Sequence, residues 1–139
     1  MRQQFLRAAL FFAALLCLSC NLTERVAEAK KGVERFHERL NSEQYSVIYA
    51  GADSMFRQQS SEKDFTAIVS AVHRKLGLVK QAEPGGWHVN TNANGTFVSL
   101  SYKTKFAEGD AVESFVWRVS GSEAKLVGYN INSAALITK

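Results

Sequence analysis

The chain has 139 residues and a formal net charge of +4, with 17 basic and 13 acidic residues, two Cys and one Pro. This length is enough for one domain with a sizeable core. The nearly balanced charge, without a stripe of Lys or Arg, excludes the electrostatic footprint of a nucleic-acid-binding protein, and the scarcity of Pro argues against a disordered chain.

The first twenty residues have the pattern of an export signal. Arg2 and Arg7 flank the charged start, and residues 8–18 form an apolar run that is shorter than the about 20 residues of a membrane-spanning helix. Ser19 and Cys20 end this run in a way that resembles a bacterial lipobox, in which a small residue precedes a cysteine that is acylated and becomes the new N-terminus.

We therefore predict a lipoprotein signal peptide over residues 1–19, acylation of Cys20, and a single domain over residues 20–139. Cys17 stands where a lipobox usually has Leu, and ordinary signal-peptide cleavage nearby is the alternative. Asn21, rather than Asp, follows Cys20, which resembles lipoproteins sorted to the outer membrane. The resemblance implies an exported protein that is lipid-anchored in the cell envelope, at the periplasmic face of the outer membrane.

Three amphipathic helices are predicted next. The first has apolar residues at spacings of four and three, namely Leu22, Val26, Ala29, Val33, Phe36 and Leu40. Asn41 ends this helix and is also predicted to cap a short second helix. That second helix carries Tyr45, Ile48 and Tyr49. A third helix begins at Ser61, with Asp64 completing a capping box, and Gly77 is a typical stop. Its stripe comprises Phe65, Ile68, Val69, Val72 and Leu76.

After Gly77 the apolar period changes to two, which predicts strands. Turn signals stand at Asn94-Gly95, at Glu108-Gly109 and near Gly121-Ser122, and Pro84-Gly85-Gly86 interrupts the first strand. Helices followed by an antiparallel meander of four strands predict an α+β fold, with the helices packed on one face of a curved sheet.

Two-residue turns at Asn94-Gly95 and Glu108-Gly109 pair Trp87 with Tyr102 and Tyr102 with Phe115, and residues opposite each other share a face. The predicted core face comprises Trp87, Val89, Val98, Leu100, Tyr102, Phe115, Trp117 and Val119. The predicted outer face comprises His88, Phe97, Ser99, Ser101, Lys103, Lys105, Val112, Val116 and Arg118. Two registers stay open for the last strand. One puts Leu126, Gly128 and Asn130 on the core face, and the other puts Val127, Tyr129 and Ile131 there.

This order of elements, with Lys75-Leu76-Gly77 after the third helix and Leu-Val-Gly-Tyr-Asn-Ile over residues 126–131, resembles the cystatin-like, nuclear transport factor 2-like superfamily. The resemblance covers Leu22 to Leu136. More narrowly, the chain is similar to small bacterial envelope proteins of unknown function with that fold. The resemblance implies a cone with a pocket between the helices and the concave sheet. Some members catalyse isomerase or dehydratase reactions in this pocket, and others bind ligands or proteins without catalysis.

Glu113 is the candidate catalytic residue. It has the same strand parity as Phe115, and Thr104 is predicted beside it at the pocket mouth. In the first of the two registers of the last strand, Asn130 lies opposite it. There its carboxylate could orient a polar ligand or act as a general base. A solvated strand end is the alternative interpretation. The aromatic residues predicted to line the pocket, or to fill it as core, are Tyr45, Tyr49, Trp87, Tyr102, Phe106, Phe115 and Trp117.

His37, His73 and His88 do not converge and lack metal-ligand spacing, so we expect structural or surface roles for them. The sequence has no Gly-rich phosphate loop, nucleophile elbow or zinc-protease motif. We therefore expect no metal and no cofactor.

Together these features predict a membrane-anchored, non-enzymatic binding module for a small apolar ligand or an envelope protein partner, and not for nucleic acid. The alternative is an isomerase- or dehydratase-type enzyme that uses Glu113. The chain is expected to be a monomer or a homodimer, and the homodimer would use the outer sheet face around Phe97, Val112 and Val116.

Overall fold

The main helices precede the strands along the chain, as predicted, and one short helix follows the strands. The computed structural model describes the backbone of residues 2–138 and the side chains of residues 21–138. The elements are α1 (Arg2–Asn41), α2 (Tyr45–Gly51), α3 (Ser54–Gln59), α4 (Glu62–Leu76), β1 (Val79–Asn92), β2 (Gly95–Phe106), β3 (Gly109–Ser120), β4 (Glu123–Asn132) and α5 (Ala135–Thr138). The strands form one antiparallel sheet in the order β1-β2-β3-β4. The predicted α+β class, with helices on a curved four-stranded meander, is confirmed.

The predicted export signal lies in residues whose side chains the structure does not describe. The signal peptide over residues 1–19 and the side chain of Cys20 lie outside the described residues. Within the described part of the chain, no helix is both long enough and apolar enough to span a membrane.

α1 covers the sheet with the apolar stripe predicted for it. The buried residues of this stripe are Val26, Ala29, Val33, Phe36 and Leu40. Leu22, at the start of the stripe, is exposed. At Gly32 the helix passes directly over the indole ring of Trp117, and a Cβ atom at position 32 would lie 3.0 Å from the ring carbons. The absence of a side chain at Gly32 therefore sets how closely α1 packs on β3.

The side chain at the end of α1 has a role other than the predicted one. The helix ends at Asn41, but α2 begins after Gln44, without a side-chain cap. The Asn41 amide instead bonds both backbone groups of Val79: Oδ1 accepts from the N–H at 2.8 Å, and Nδ2 donates to the carbonyl at 3.2 Å. Asn41 thus binds the start of β1 much as a neighbouring strand would.

α4 begins and ends where the sequence predicts. Ser61 Oγ accepts from the Asp64 backbone N–H at 3.1 Å, and Gly77 closes the helix with a φ of 74°, which favours glycine. The prediction that Ile68 belongs to the buried stripe is wrong, since Ile68 is exposed. The buried residues follow the four-three-four spacing of Phe65, Val69, Val72 and Leu76, which leaves position 68 at the side of the stripe.

The first hairpin turn lies one residue earlier than predicted. Ala93-Asn94 forms the turn, rather than Asn94-Gly95, so Trp87 pairs with Leu100 and not with Tyr102. The pairing therefore shifts by two positions. Because two is the side-chain period of a strand, each residue keeps the sheet face that was predicted for it.

The second hairpin turn shows the same shift. Ala107-Glu108 forms the turn, rather than Glu108-Gly109, and Tyr102 pairs with Glu113 instead of Phe115. The even shift again preserves the faces, so Tyr102, Glu113 and Phe115 all lie on the side of the helices, where they are buried.

Both registers left open for β4 occur in part, because a bulge separates them. Trp117 pairs with Leu126 near the turn, but the register shifts between Trp117 and Val116, which pairs with Gly128. Leu126 is buried before the bulge, and Tyr129 packs against the core after it. The bulge moves Tyr129 to the inner face and Asn130 away from it.

β1 also carries a bulge, where the sequence predicts an interruption. The register shifts between Pro84 and Trp87, but β1 continues as one strand. β1 is an edge strand of the sheet. The prediction that Trp87 belongs to the core is wrong, because a groove rather than packed side chains separates its ring from α1.

Aromatic rings fill the space between the helices and the sheet. Phe115 is fully buried, and its ring centroid lies 5.2 Å from that of Phe36, 5.1 Å from that of Tyr129 and 6.2 Å from that of Trp117. These separations are typical of aromatic pairs in contact. The inside of the cone is therefore packed around Phe115.

Gly32→Ala is expected to destabilise the protein. Ala instead of Gly within a helix usually stabilises by about 0.5–1 kcal/mol. Here the new methyl group would meet the buried Trp117 ring at 3.0 Å, and overpacking a core typically costs about 1–3 kcal/mol. Urea denaturation of the purified protein measures the difference. Gly51→Ala is the control, because the nearest atom to its Cβ is an Arg39 nitrogen at 3.6 Å. A Gly32→Ala protein that is more stable than the wild type would contradict the close packing.

Candidate functional site

Glu113 lies at the centre of a buried polar cluster inside the cone. It is on the inner face of β3, where the strand alternation of Ala111, Phe115 and Trp117 also points, and its side chain is fully buried. A buried carboxylate without partners is strongly disfavoured. The neighbouring elements therefore have to supply hydrogen-bond donors.

Three side chains from three other elements contact the Glu113 carboxylate. Thr104 Oγ1, on β2, donates to Oε2 at 2.5 Å, and His37 Nε2, on α1, lies 2.7 Å from the same oxygen. Tyr129, on β4, donates from its hydroxyl to Oε1 at 2.7 Å. With a hydrogen on Nε2, the His37 ring would donate to this oxygen, since an ionised carboxylate only accepts hydrogen bonds. Both oxygens of Glu113 are thus engaged by protein groups.

The surroundings of the His37–Glu113 contact are apolar. The His37 ring centroid lies 6.0 Å from that of Phe36 and 5.8 Å from that of Phe115, both in edge-on arrangements. The His37 side chain itself is nearly buried. In such a medium, removing one of the hydrogen-bond partners is costly because it leaves the buried carboxylate of Glu113 with an uncompensated oxygen.

Tyr129 is held as a neutral hydrogen-bond donor. Burial raises the pKa of Tyr129 well above its usual value near 10, and the charge of Glu113 and the hydrogen bond to Glu113 raise it further. Tyr129 is therefore protonated at neutral pH, and its proton points to Glu113 rather than to an open cavity.

One of the two predicted partners of Glu113 is found in the structure, and it is one of three side chains that contact the carboxylate. Thr104 contacts it as expected, but Asn130 is wrong, because the bulge in β4 puts Asn130 opposite Ser114 and leaves it exposed. Ile131 pairs with Glu113 instead, and Tyr129 supplies the hydrogen bond. The strand-end interpretation is also excluded, since Glu113 is buried.

His37 is the partner that the sequence analysis missed. The sequence predicts only a structural or surface role for it and does not connect it with Glu113. A signal was present, because His37 stands four residues after Val33 and three before Leu40, which is the spacing of a buried helix position. A histidine at such a position needs a buried polar partner.

The predicted pocket-lining aromatics are distributed over several places. Tyr102, Phe106, Phe115 and Trp117 are buried in the core. Tyr45 and Tyr49 are half-buried on α2: the hydroxyl of Tyr45 lies 3.1 Å from Nδ1 of His73, and that of Tyr49 donates to the Ser60 carbonyl at 2.8 Å. Trp87 is exposed at the sheet edge. The structure therefore does not bring all seven rings together around one space.

A second buried carboxylate joins α3 to the sheet, and α3 is an element that the sequence analysis did not predict. Asp53 caps α3 by accepting from the Met55 N–H at 2.9 Å. Its other carboxylate oxygen lies 2.7 Å from a guanidinium nitrogen of Arg118, and its backbone N–H donates to the Leu126 carbonyl at 2.8 Å. These contacts give Asp53 a structural role.

The outer face of the sheet is open. Val112 and Lys103 are exposed, and Ser101 and Val116 are half-buried. A depression of about 410 Å³ runs along this face beside Lys103 and Val112, at the end where β4 stops. Polar and charged residues surround the apolar ones, as in the rim of a protein interface.

Metal ligands do not gather in the described part of the chain. Among the described residues, no three His, Cys, Asp or Glu side chains stand close enough to hold a metal ion. The chemistry of the site therefore has to be judged from the Glu113 cluster itself.

A family model described as a protein of unknown function (DUF4019) matches residues 33–129. The match includes all four residues of the Glu113 cluster, from His37 to Tyr129. No curated protein matches the chain.

Glu113→Gln is expected to lower the free energy of unfolding by about 3 kcal/mol, because it breaks a buried, hydrogen-bonded pair while keeping the side-chain shape. Urea denaturation measures the change. Glu123→Gln is the control, since Glu123 is an exposed glutamate on the same sheet, and it should leave stability unchanged. If both variants matched the wild type, Glu113 would not hold the fold together.

Stability is also expected to fall above pH 10 through Tyr129. Its pKa is raised in the folded protein, so the unfolded chain loses this proton first as the pH rises. One such proton lowers stability by about 1.4 kcal/mol for each pH unit above about 10, until the folded pKa is reached. Urea denaturation between pH 9 and 11 should show a smaller slope for Tyr129→Phe. Equal slopes for the two proteins would contradict the assignment.

Proposed function

This chain belongs to the DUF4019 family, and we propose that it is a lipid-anchored protein of the bacterial cell envelope that binds a partner protein through the outer face of its sheet. In this proposal the fold is the cystatin-like, nuclear transport factor 2-like cone, and the domain spans residues 20–139. The inside of the cone holds the fold together, and the surface does the binding.

The sealed Glu113 cluster is the observation that carries the non-enzymatic part of the proposal. A general base has to reach a substrate proton within hydrogen-bond distance. Glu113 is fully buried, and His37, Thr104 and Tyr129 occupy both of its oxygens. The rings around Phe115 fill the space that a substrate would need. These contacts favour a structural role for Glu113 over the isomerase or dehydratase alternative.

The same packing favours a protein partner over a small apolar ligand. A buried ligand needs an apolar cavity of several hundred Å³, and the inner face is instead occupied by core side chains. The outer face has a shallow depression, exposed Val112 and a rim that includes Lys103. Apolar residues within a polar rim are suited to a protein surface.

The lipid anchor rests on the sequence around Cys20. Ser19 and Cys20 follow an apolar run that is too short to span a membrane. Each buried CH₂ group of an acyl chain contributes about 0.8 kcal/mol of membrane affinity, and two or more chains give stable attachment. Asn21 after the cysteine favours the periplasmic face of the outer membrane as the destination.

Cys20→Ser is expected to release the protein into the soluble periplasmic fraction and to abolish labelling by radioactive palmitate. Cell fractionation and acyl labelling of the full chain measure both effects. Cys17→Ser is the matched control and should keep both the label and the membrane location. Undiminished labelling of Cys20→Ser would overturn the assignment of the anchor to this residue.

A photo-reactive amino acid at Val112 is expected to capture a discrete partner in cells. Val112 is on the outer face and is 48% exposed, and Ile68 on α4 is a control of similar exposure at 56%. We expect a defined cross-linked band from position 112 and none from position 68. A band at twice the mass of the chain would identify a second copy as the partner, and Val116→Glu should then give a monomer in sedimentation. The absence of any band from position 112 in membrane-bound protein would contradict the proposed binding face.

A further inference from the structure

An apolar groove lies between the start of α1 and the edge strand β1, away from both the Glu113 cluster and the outer sheet face. Its volume is about 260 Å³. It is lined by Leu22, Thr23, Val26, Ala27, Lys30 and Trp87. We infer that this groove rests directly on the phospholipid bilayer and that Trp87 inserts into the interfacial region of the membrane. The inference rests on the proposed acylation of Cys20.

The exposure of the apolar residues needs an explanation. Trp87 is 58% exposed and Leu22 is 46% exposed, and both line the same groove. Adjoining exposed apolar side chains mark contact sites for proteins or membranes. Trp favours the membrane–water boundary in particular, because its ring is apolar and its N–H can reach water or headgroups.

The chain length between the anchor and the groove identifies the bilayer as the occupant. Leu22 follows Cys20 by two residues, and two residues span at most about 7 Å even when fully extended. An acyl anchor on Cys20 therefore holds Leu22 within a few ångströms of the lipid surface. This short connection favours the bilayer over a partner protein as the occupant of the groove.

The charges around the groove suit the phosphate layer. Lys30 lines the groove, and a lysine side chain can extend along apolar surface so that its ammonium group reaches the lipid phosphates. Glu28, on the same helix, is paired with Lys31 at 2.7 Å, which offsets its charge. The groove thus presents an apolar floor and a cation to the headgroups.

The contact between the groove and the bilayer also orients the domain. Arg25 donates a hydrogen bond to Thr96, so the first hairpin lies at the anchor end. At the other end of α1, Asn41 binds Val79. The 19 positions between Leu22 and Asn41 correspond to about 30 Å of helix at 1.5 Å per residue. The far end, including Ile137 in α5, therefore points away from the membrane.

Tryptophan quenching by brominated lipid tests whether Trp87 inserts into the membrane interface. The acylated protein, produced in cells from the full chain, is reconstituted into vesicles of phosphatidylethanolamine and phosphatidylglycerol, with or without bromine near the headgroup end of the acyl chains. The chain has two tryptophans, and Trp117 is buried. We expect brominated vesicles to reduce the emission by about half, because one of the two rings lies at the interface.

Two variants make the result specific. Trp87→Phe should lose nearly all of the quenching. Adding Ile137→Trp to that variant restores an exposed ring at the far end, where the native residue is 84% exposed, and this ring should not be quenched. Both variants should still float with the vesicles in a density gradient.

The outcomes distinguish the membrane contact of the groove from the acylation of Cys20. Flotation with quenching that depends on Trp87 supports the inference. Flotation without quenching of Trp87 overturns the inference and leaves the anchor intact; this result is also expected if the protein's own acyl chain or another protein covers the ring. Failure to float overturns both the lipid anchor on Cys20 and the contact of the groove with the bilayer.

Discussion

The buried carboxylate of Glu113 is the interaction on which the rest of the structure depends. It lies on β3 and is held by His37 from α1, Thr104 from β2 and Tyr129 from β4, so that one group joins the helix layer to three adjacent strands. A buried charge is tolerated only when its hydrogen-bonding capacity is filled. The cluster therefore constrains the register of three strands and the position of α1 at the same time, and each of these elements has to be in place before Glu113 is satisfied.

Filling the cone in this way moves the surfaces available for binding to the outside of the domain. The inner face of the sheet is used by Phe115 and the rings around it, and the outer face is left open around Val112. The exposed Trp87 lies beside the start of α1. In the proposed account, one surface rests on the membrane and a different surface faces a partner protein. Neither surface requires a cavity inside the fold.

The sequence is sufficient to predict α1, α2, α4 and the four strands in their order, but not the short helices α3 and α5. It also predicts the two faces of the sheet, because strand alternation survives an even shift in register. The pairing itself was off by two positions, since the turns use Ala93-Asn94 and Ala107-Glu108. The candidate Glu113 follows from its strand parity, and Thr104 is the one hydrogen-bond partner of Glu113 that the sequence predicts without an alternative. The sequence leaves open whether Asn130 or Tyr129 faces the core, because a bulge in β4 cannot be read from alternation. It gives His37 no place in the site, although the spacing of His37 matches a buried position.

Carbodiimide labelling of the folded protein, followed by peptide mass spectrometry, tests most directly whether Glu113 is sealed inside the cone. The reagent modifies carboxylates that solvent can reach. The account predicts that Glu113 stays unmodified until the protein is unfolded, whereas the exposed Glu123 reacts at once. Modification of Glu113 in the folded protein at a rate similar to that of Glu123 would contradict the account, because it would mean that the carboxylate opens to solvent and is free to meet a substrate.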